Sequence, residues 1–454
     1  MADGTIKACG GGLNLSQNQG ILVVGAGIAG IQASLDLADR GLKVYLLEKS
    51  PSIGGRMAQL DKTFPTMDCS MCILAPKMIE CYRHPNITLL TYSEVQEVKG
   101  SAGNFTVKIL KKPRFIDEEK CTGCGICAQN CPVEVPNEFD MGLGIRKAIY
   151  VPLPQAVPLV YTIDEENCLK CGLCEKVCGA EAVNLDQEPE EIELKVGAII
   201  VATGFDIFDA RRISEYGYGR YQNVITSLEL ERLLSASGPT GGHLIRPSDG
   251  KVPKTIAFIQ CVGSRSQRGE LPYCSSVCCA YATKEGMLIK EHNPESKIYI
   301  LYIDLRVFGK GFQEFVNRAK TEYGVEYIKG HPGKIEENPK TGDLVIRYEN
   351  VVDGKVKEIT VDLIVLCPAL VPRRDNERLA EILKVELDEY TFFKAKDPLF
   401  EPLNTNLSGV FMCGYCQGPK DIPESVAQAS GAAAKAAEEI ALTSSRGGVG
   451  NGSK

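Results

Sequence analysis

Eight cysteines stand in two runs of identical spacing, Cys121-Cys124-Cys127-Cys131 and Cys168-Cys171-Cys174-Cys178, each reading C-x2-C-x2-C-x3-C. A turn every three residues aims the first three thiolates of a run at one point, while the fourth leaves on a short helix toward the neighbouring run. This is the spacing of paired [4Fe-4S] cubes, in which three thiolates of one run and the last cysteine of the other surround each cube. We expect Cys121, Cys124, Cys127 and Cys178 around one cluster and Cys168, Cys171, Cys174 and Cys131 around the other. Zinc ribbons need four thiolates in two pairs, which is not the pattern of these runs. A chain so built carries electrons.

The 454 residues, 44% hydrophobic and 24% charged, have room for two or three globular domains. A net charge of -7 speaks against nucleic acid as a partner, and no basic run suggests an anionic surface. Nineteen cysteines behind an opening segment without an apolar core point to a reducing cytoplasm. No run approaches the ~20 apolar residues of a transmembrane segment, so a soluble protein is expected. Both ends, 1–20 and 442–454, read as flexible. The cysteine runs occupy a stretch from about Pro113 to Pro189, studded by Pro152, Pro154 and Pro158, which interrupts a larger domain of alternating strands and helices.

That larger domain opens with the apolar strand Ile21 to Val24, the turn Gly25-x-Gly27-x-Ala29-Gly30, a helical stretch to Gly41, and a second strand ending at Glu48-Lys49. Strand, glycine turn, helix and acid fall at the Rossmann spacing. The glycines make the tight turn, the helix N-terminus meets a pyrophosphate, and the acid meets a ribose hydroxyl. Three further segments resemble flavoprotein disulfide reductases: Gly54-Gly55-Arg56-Met57, which in that family closes over the FAD ribose and phosphate; VGAIIVATG, ending in Ala202-Thr203-Gly204; and GVFMCG, ending in Gly414. This resemblance implies FAD rather than NAD. The family's aspartate after the last glycine is Tyr415 here, so contact to the ribityl chain is expected from the backbone near Asp421 and Ile422. The helix predicted after Pro423 can aim the positive end of its dipole at the flavin.

A reductase of two dinucleotides repeats the glycine motif after the first strand of its second domain. That strand is present, Thr255 to Gln260, but only Gly263 of the triplet survives, and Cys261, Cys274, Cys278 and Cys279 occupy the region. Four thiols within nineteen residues suit a third [4Fe-4S] cluster, with a redox-active thiol pair as the alternative. Lys284, five residues beyond Cys279 on a helical stretch, is a candidate for tuning the flavin. Cys69, Cys72 and Cys81, with the distant Cys9, are a candidate fourth cluster site; their alternative is burial as small apolar residues.

The combination of DCSMCILAPKM (68–78), the inserted two-cluster stretch, CVGSR…PYCSSVCCAYATK and GPKDIPESVAQAS (418–430) resembles the A-subunit family of the heterodisulfide reductases over about Ile21 to Leu442. The resemblance implies an α/β thioredoxin-reductase-like pair of FAD-binding Rossmann domains with an inserted α+β bacterial-type ferredoxin domain. The expected layout is a flexible segment 1–20; FAD domain in three parts, 21–112, 191–250 and 371–441; ferredoxin insert 113–190; a second Rossmann-like domain 251–370; and a tail 442–454. The family implies an electron-transfer component in which FAD gathers or splits electron pairs and clusters relay single electrons within a cytoplasmic complex; its fullest forms bifurcate electrons. Expected partners are other redox subunits of such a complex, including ferredoxin and hydrogenase or dehydrogenase subunits, around a homodimeric core. The family's long forms add an N-terminal domain and a C-terminal ferredoxin domain, so this sequence reads as a short form. The alternative is a stand-alone FAD-dependent NAD(P)H or disulfide oxidoreductase.

Overall fold

The computed structural model describes residues 20–266 and 271–448. The apolar strand Gly20–Val24 is buried along its whole length and pairs in parallel with Val44–Glu48 on one side and with Glu190–Val201 on the other. Burial on both faces is what a continuous apolar run in a parallel sheet requires. Ile87–Thr91 extends this sheet at one edge, Val410–Met412 pairs with the C-terminal part of Glu190–Val201, and the antiparallel strands Asn104–Lys111 and Ser93–Ser101 complete it. The helices Ile28–Ala38 and Ile422–Gly448 pack on one face through small residues, Ala33, Ala429, Ala432, Ala433 and Ala436, all at or near full burial.

The cysteine-rich insert leaves and rejoins this sheet at one place, because Lys111 lies directly opposite Glu190 on the partner strand. Its own core is small: Phe115, Ile116, Ile149, Val160, Ile163 and Ala182, with six of its cysteines packed against them. Arg114, 1% exposed, fastens the insert to the sheet. Its guanidinium donates to the carbonyl oxygen of Pro51 at 2.7 Å and to the hydroxyls of Thr91 at 2.5 Å and Thr162 at 2.8 Å.

A second sheet orders five parallel strands, Val224–Thr226, Leu363–Pro368, Thr255–Val262, Lys297–Tyr302 and Glu326–Glu337, before an antiparallel edge of Leu344–Asn350 and Lys355–Val361. The helix Ser227–Leu234 begins in a capping box: the Thr226 hydroxyl accepts from the Glu229 N–H, and the Glu229 carboxylate accepts from the Thr226 N–H. The helix Cys278–His292 covers the same face of this sheet. Among the described residues no helix is long and apolar enough to cross a membrane.

Candidate redox centre between the two sheets

A cavity of about 560 Å³ lies where the two sheets meet, a size typical of cofactor sites. Gly25, Gly27, Ala29, Glu48, Lys49, Gly55, Arg56, Met57, Ala202, Thr203, Gly204, Gly414 and Ile422, all expected at a cofactor, line it. Gly30 does not. A Cβ there would stand 1.8 Å from the Gly25 carbonyl oxygen, so Gly30 serves the close approach of helix to turn. Gly55 is also closely placed, since a Cβ would meet the Gly27 Cα at 2.8 Å. Backbone thus approaches backbone on both sides of a shallow cradle, bridged at Gly27 and Gly54.

The cradle's polar groups suit an anion at one end and a hydroxyl at the other. Arg56 donates to Gln59 at 2.9 Å and to Asp206 at 3.3 Å, yet its buried Nε has no partner, and burial holds its guanidinium below the usual range. An unpaired buried donor on a cavity wall fits a phosphate. Glu48 spends one oxygen on the Ala26 N–H and the other on the Ser50 N–H, both at 2.9 Å, which fixes its carboxylate at the wall. Asp421 accepts from the Glu424 N–H at 2.8 Å and Glu424 from the Asp421 N–H at 3.0 Å, so the Ile422–Gly448 helix is capped where its first turn meets the cavity. The Lys420 ammonium, its pKa lowered by burial, donates to the carbonyl oxygens of Gly414 and Gly418. These features fit FAD, which supplies one- and two-electron chemistry when bound.

Tyr415, in the place of the expected aspartate, is a wall residue. It lies 4.7 Å from Phe205, centroid to centroid, and its hydroxyl donates to the Ser275 carbonyl oxygen at 3.3 Å. Lys284 is 1% exposed, lines the cavity, donates to the Lys62 carbonyl oxygen at 2.9 Å and makes a short ion pair with Glu231. Glu231 sits 53 residues upstream on another helix, a partner that no local pattern announces.

Beyond Tyr415 the structure brings Cys261, Cys274, Cys278 and Cys279 together. Cys261 is the penultimate residue of its strand, at φ 59°, Cys274 lies in the following loop, and the last two open the Cys278–His292 helix. Burial raises the Cys278 thiol, and the nearby Cys279, Cys261 and Cys274 thiols add to the rise. Burial likewise pushes Cys279 up to about 11, against the Arg306 N–H that its sulfur accepts at 3.5 Å. Four thiols near one another at a helix N-terminus suit soft-metal ligation. Arg265, paired with Asp304, reaches within 4.0 Å of the Cys261 sulfur.

In the insert, a space of about 20 Å³ is lined by Cys168, Cys171 and Cys174 of the second run and Cys131 of the first, the four thiols expected to share one cube. Burial pushes Cys127 up to about 12, helped by Cys121, Cys124 and, from the other run, Cys174. Cys178 packs into the same core. Among the described residues no three Cys, His, Asp or Glu side chains converge on a single ion; a cubane instead spreads its thiolates over four corners.

The fourth set is not assembled. Cys69 and Cys72 form a disulfide at the start of the Ser70–Arg83 helix. Cys81, three turns on, is fully buried, with its thiol directed at the Ile31 carbonyl oxygen. Packing explains it as a small apolar residue, the alternative given above. Cys9 lies outside the described residues.

The architecture is that of the flavin-dependent disulfide reductases, opened to admit a two-cluster iron-sulfur domain. Thioredoxin reductase of Lactococcus lactis aligns with 94% of this chain and all of its own at a TM-score of 0.52 and 16% identity. The 4Fe-4S dicluster domain model matches residues 120–183 and the NAD(P)-binding Rossmann-like domain model residues 23–77. The second iron-sulfur A-subunit of CoB–CoM heterodisulfide reductase from Methanopyrus kandleri is 60% identical over 92% of the chain, and the iron-sulfur A-subunit from Methanocaldococcus jannaschii is 57% identical over 91%. The chain is a relative of the heterodisulfide reductase A-subunits, spanning 64% and 63% of the length of these two proteins.

Proposed function

We propose that this chain is the electron-transfer subunit of a heterodisulfide reductase-like complex, an FAD and iron-sulfur oxidoreductase active among partner subunits. The observation that carries the reading is the meeting of four thiols, Cys261, Cys274, Cys278 and Cys279, behind the wall of a cavity suited to FAD. In a two-dinucleotide reductase that position belongs to the nicotinamide cradle, of which only Gly263 remains.

On this reading the clusters number three: two in the insert, with the ligands assigned above, and one at the Cys261 set. Arg56, Gly25 and Gly27 hold the FAD phosphates, and Glu48 holds a ribose hydroxyl. Lys284, with its charge shared by Glu231, sets the flavin's potential, because a buried cation favours added negative charge nearby. Partner subunits of the complex, ferredoxin among them, supply or accept electrons at the insert. A reducing cytoplasm suits so many thiols. A homodimeric core and electron bifurcation are the finer expectations of the same reading.

The test compares electron sources on the full chain, reconstituted anaerobically with iron, sulfide and FAD. A reduced low-potential iron-sulfur carrier should bleach the flavin while NADH and NADPH leave it oxidised. Rapid bleaching by a pyridine nucleotide would favour the stand-alone reductase instead.

A further inference from the structure

Glu285 follows Lys284 on the Cys278–His292 helix and is 1% exposed. It lines the cavity, and its Oε2, fully buried, has no hydrogen-bond partner. Beside it lies the carboxyl group of Glu231, which disfavours a second negative charge there. Two neighbouring buried carboxyl groups disfavour carrying two negative charges, so one of them keeps its proton.

Donor accounting places that proton. Glu231 accepts from the Lys284 ammonium and, through its other oxygen, from the Asp61 N–H at 2.9 Å. Every donor in reach therefore serves Glu231 as an anion. Glu285 receives none of them, and a buried anion without donors is costly. Around it stand Glu231 from the Ser227–Leu234 helix, Cys367 from the Leu363–Pro368 strand, and Lys284 and Tyr281 from its own helix, with Asp61 and Lys62 beyond Glu231. Lys284 is the cation that acts on Glu285, and its ammonium is committed to Glu231 and the Lys62 carbonyl. Burial first, then Glu231, holds the Glu285 carboxyl well above the carboxylate range. Tyr281, one turn earlier on the same helix, also lines the cavity, with its hydroxyl beside Ser227 and Cys278. A buried carboxyl oxygen without a partner on a cavity wall marks a place where something polar belongs.

We propose that Glu285 is the proton store of this cavity, releasing its proton to the cofactor as electrons arrive. The inference rests on the reading that FAD occupies the cavity. Two electrons from reduced iron-sulfur centres and one proton convert the oxidised flavin to its anionic reduced form. The Glu285 O–H bond breaks, a ring N–H bond forms, and Glu285 is left as a carboxylate beside Glu231. That arrangement is unfavourable, so a solvent proton then refills Glu285. Delivery from a store on the cavity wall lets the flavin take its proton from a positioned group.

Rapid-scan infrared spectroscopy during photoreduction of the full chain loaded with FAD tests this. The expected result is a protonated-carboxyl band that bleaches together with oxidised flavin and then recovers. The band should shift in heavy water and with isotope-labelled glutamate in the wild-type protein. In Glu285→Gln the bleach should vanish and flavin reduction should slow at least tenfold, with FAD still bound. A wild-type chain with bound FAD and no bleaching carboxyl, or a Glu285→Gln variant reduced at the wild-type rate, would overturn the role of Glu285 alone. A chain that binds no FAD would overturn this inference together with the proposed function.

Discussion

The Tyr415 hydroxyl donates to the carbonyl oxygen of Ser275, joining residues 140 apart in the chain. Ser275 follows Cys274 directly, and Tyr415 follows Gly414 on the cavity wall. One side chain therefore ties the thiol set to the cofactor cavity, through a ring that also packs against Phe205 and Phe392. Tyr415 thus acts as a strut between the cavity and the loop that carries Cys274.

Replacing Tyr415 separates its roles. Tyr415→Phe keeps the ring and loses one buried hydrogen bond, so it should cost about 1 kcal/mol in chemical denaturation and leave flavin binding intact. Tyr415→Ala removes a buried ring and should cost about 3–5 kcal/mol, with slower flavin reduction by an iron-sulfur donor.

Gly30→Ala is expected to damage the cofactor site without touching it. The added methyl would overlap the Gly25 carbonyl oxygen. Overpacking of this kind costs about 1–3 kcal/mol. Thermal melts should show that loss, and the same preparation should retain less than a tenth of the wild-type FAD.

Crossed ligation in the insert makes a double-mutant prediction. Cys131→Ser combined with Cys168→Ser should remove about four irons per chain, as either does alone, because both serve one cube. Cys131→Ser combined with Cys121→Ser should remove about eight, because they serve two. Iron analysis giving the reverse pattern would mean that each run holds its own cluster.

His331 gives stability a pH dependence of known sign. Burial lowers its pKa, and its ring lies 3.2 Å from the Tyr216 hydroxyl. The unfolded chain takes up a proton near pH ~6.5, and the folded chain does so only at lower pH. The unfolded state therefore binds more protons in that window, so stability falls as pH drops through about 6.5 and levels off below the folded value. Denaturation at pH ~7.5 and ~5.5 should show this fall, and His331→Gln should lessen it.

The sequence reveals what is local. The Gly25-x-Gly27 turn with Glu48, the two cysteine runs, and the helix after Pro423 each declare themselves within about twenty residues, because glycine conformation and thiolate spacing are properties of neighbours. That Gly263 alone stands for a second glycine triplet after the Thr255–Val262 strand was equally legible. What stayed hidden depends on folding. Glu231 reaches Lys284 from another helix, Arg114 clamps the insert through Pro51, Thr91 and Thr162, and Tyr415 finds Ser275 across the domain boundary. The grouping of Cys81 with Cys69 and Cys72 failed for a periodic reason. Nine and twelve residues along a helix do not place its thiol beside theirs, and it turns instead toward the Ile28–Ala38 helix.

The most direct test of the central claim, that iron-bound thiolates stand where a nicotinamide would, is anaerobic iron and FAD analysis of the full chain beside Cys278→Ser. About twelve irons and one FAD per chain, falling to about eight irons with FAD retained in the variant, is the predicted result, at four irons per cubane. About eight irons in both proteins, with NADH reducing the flavin directly, would contradict it.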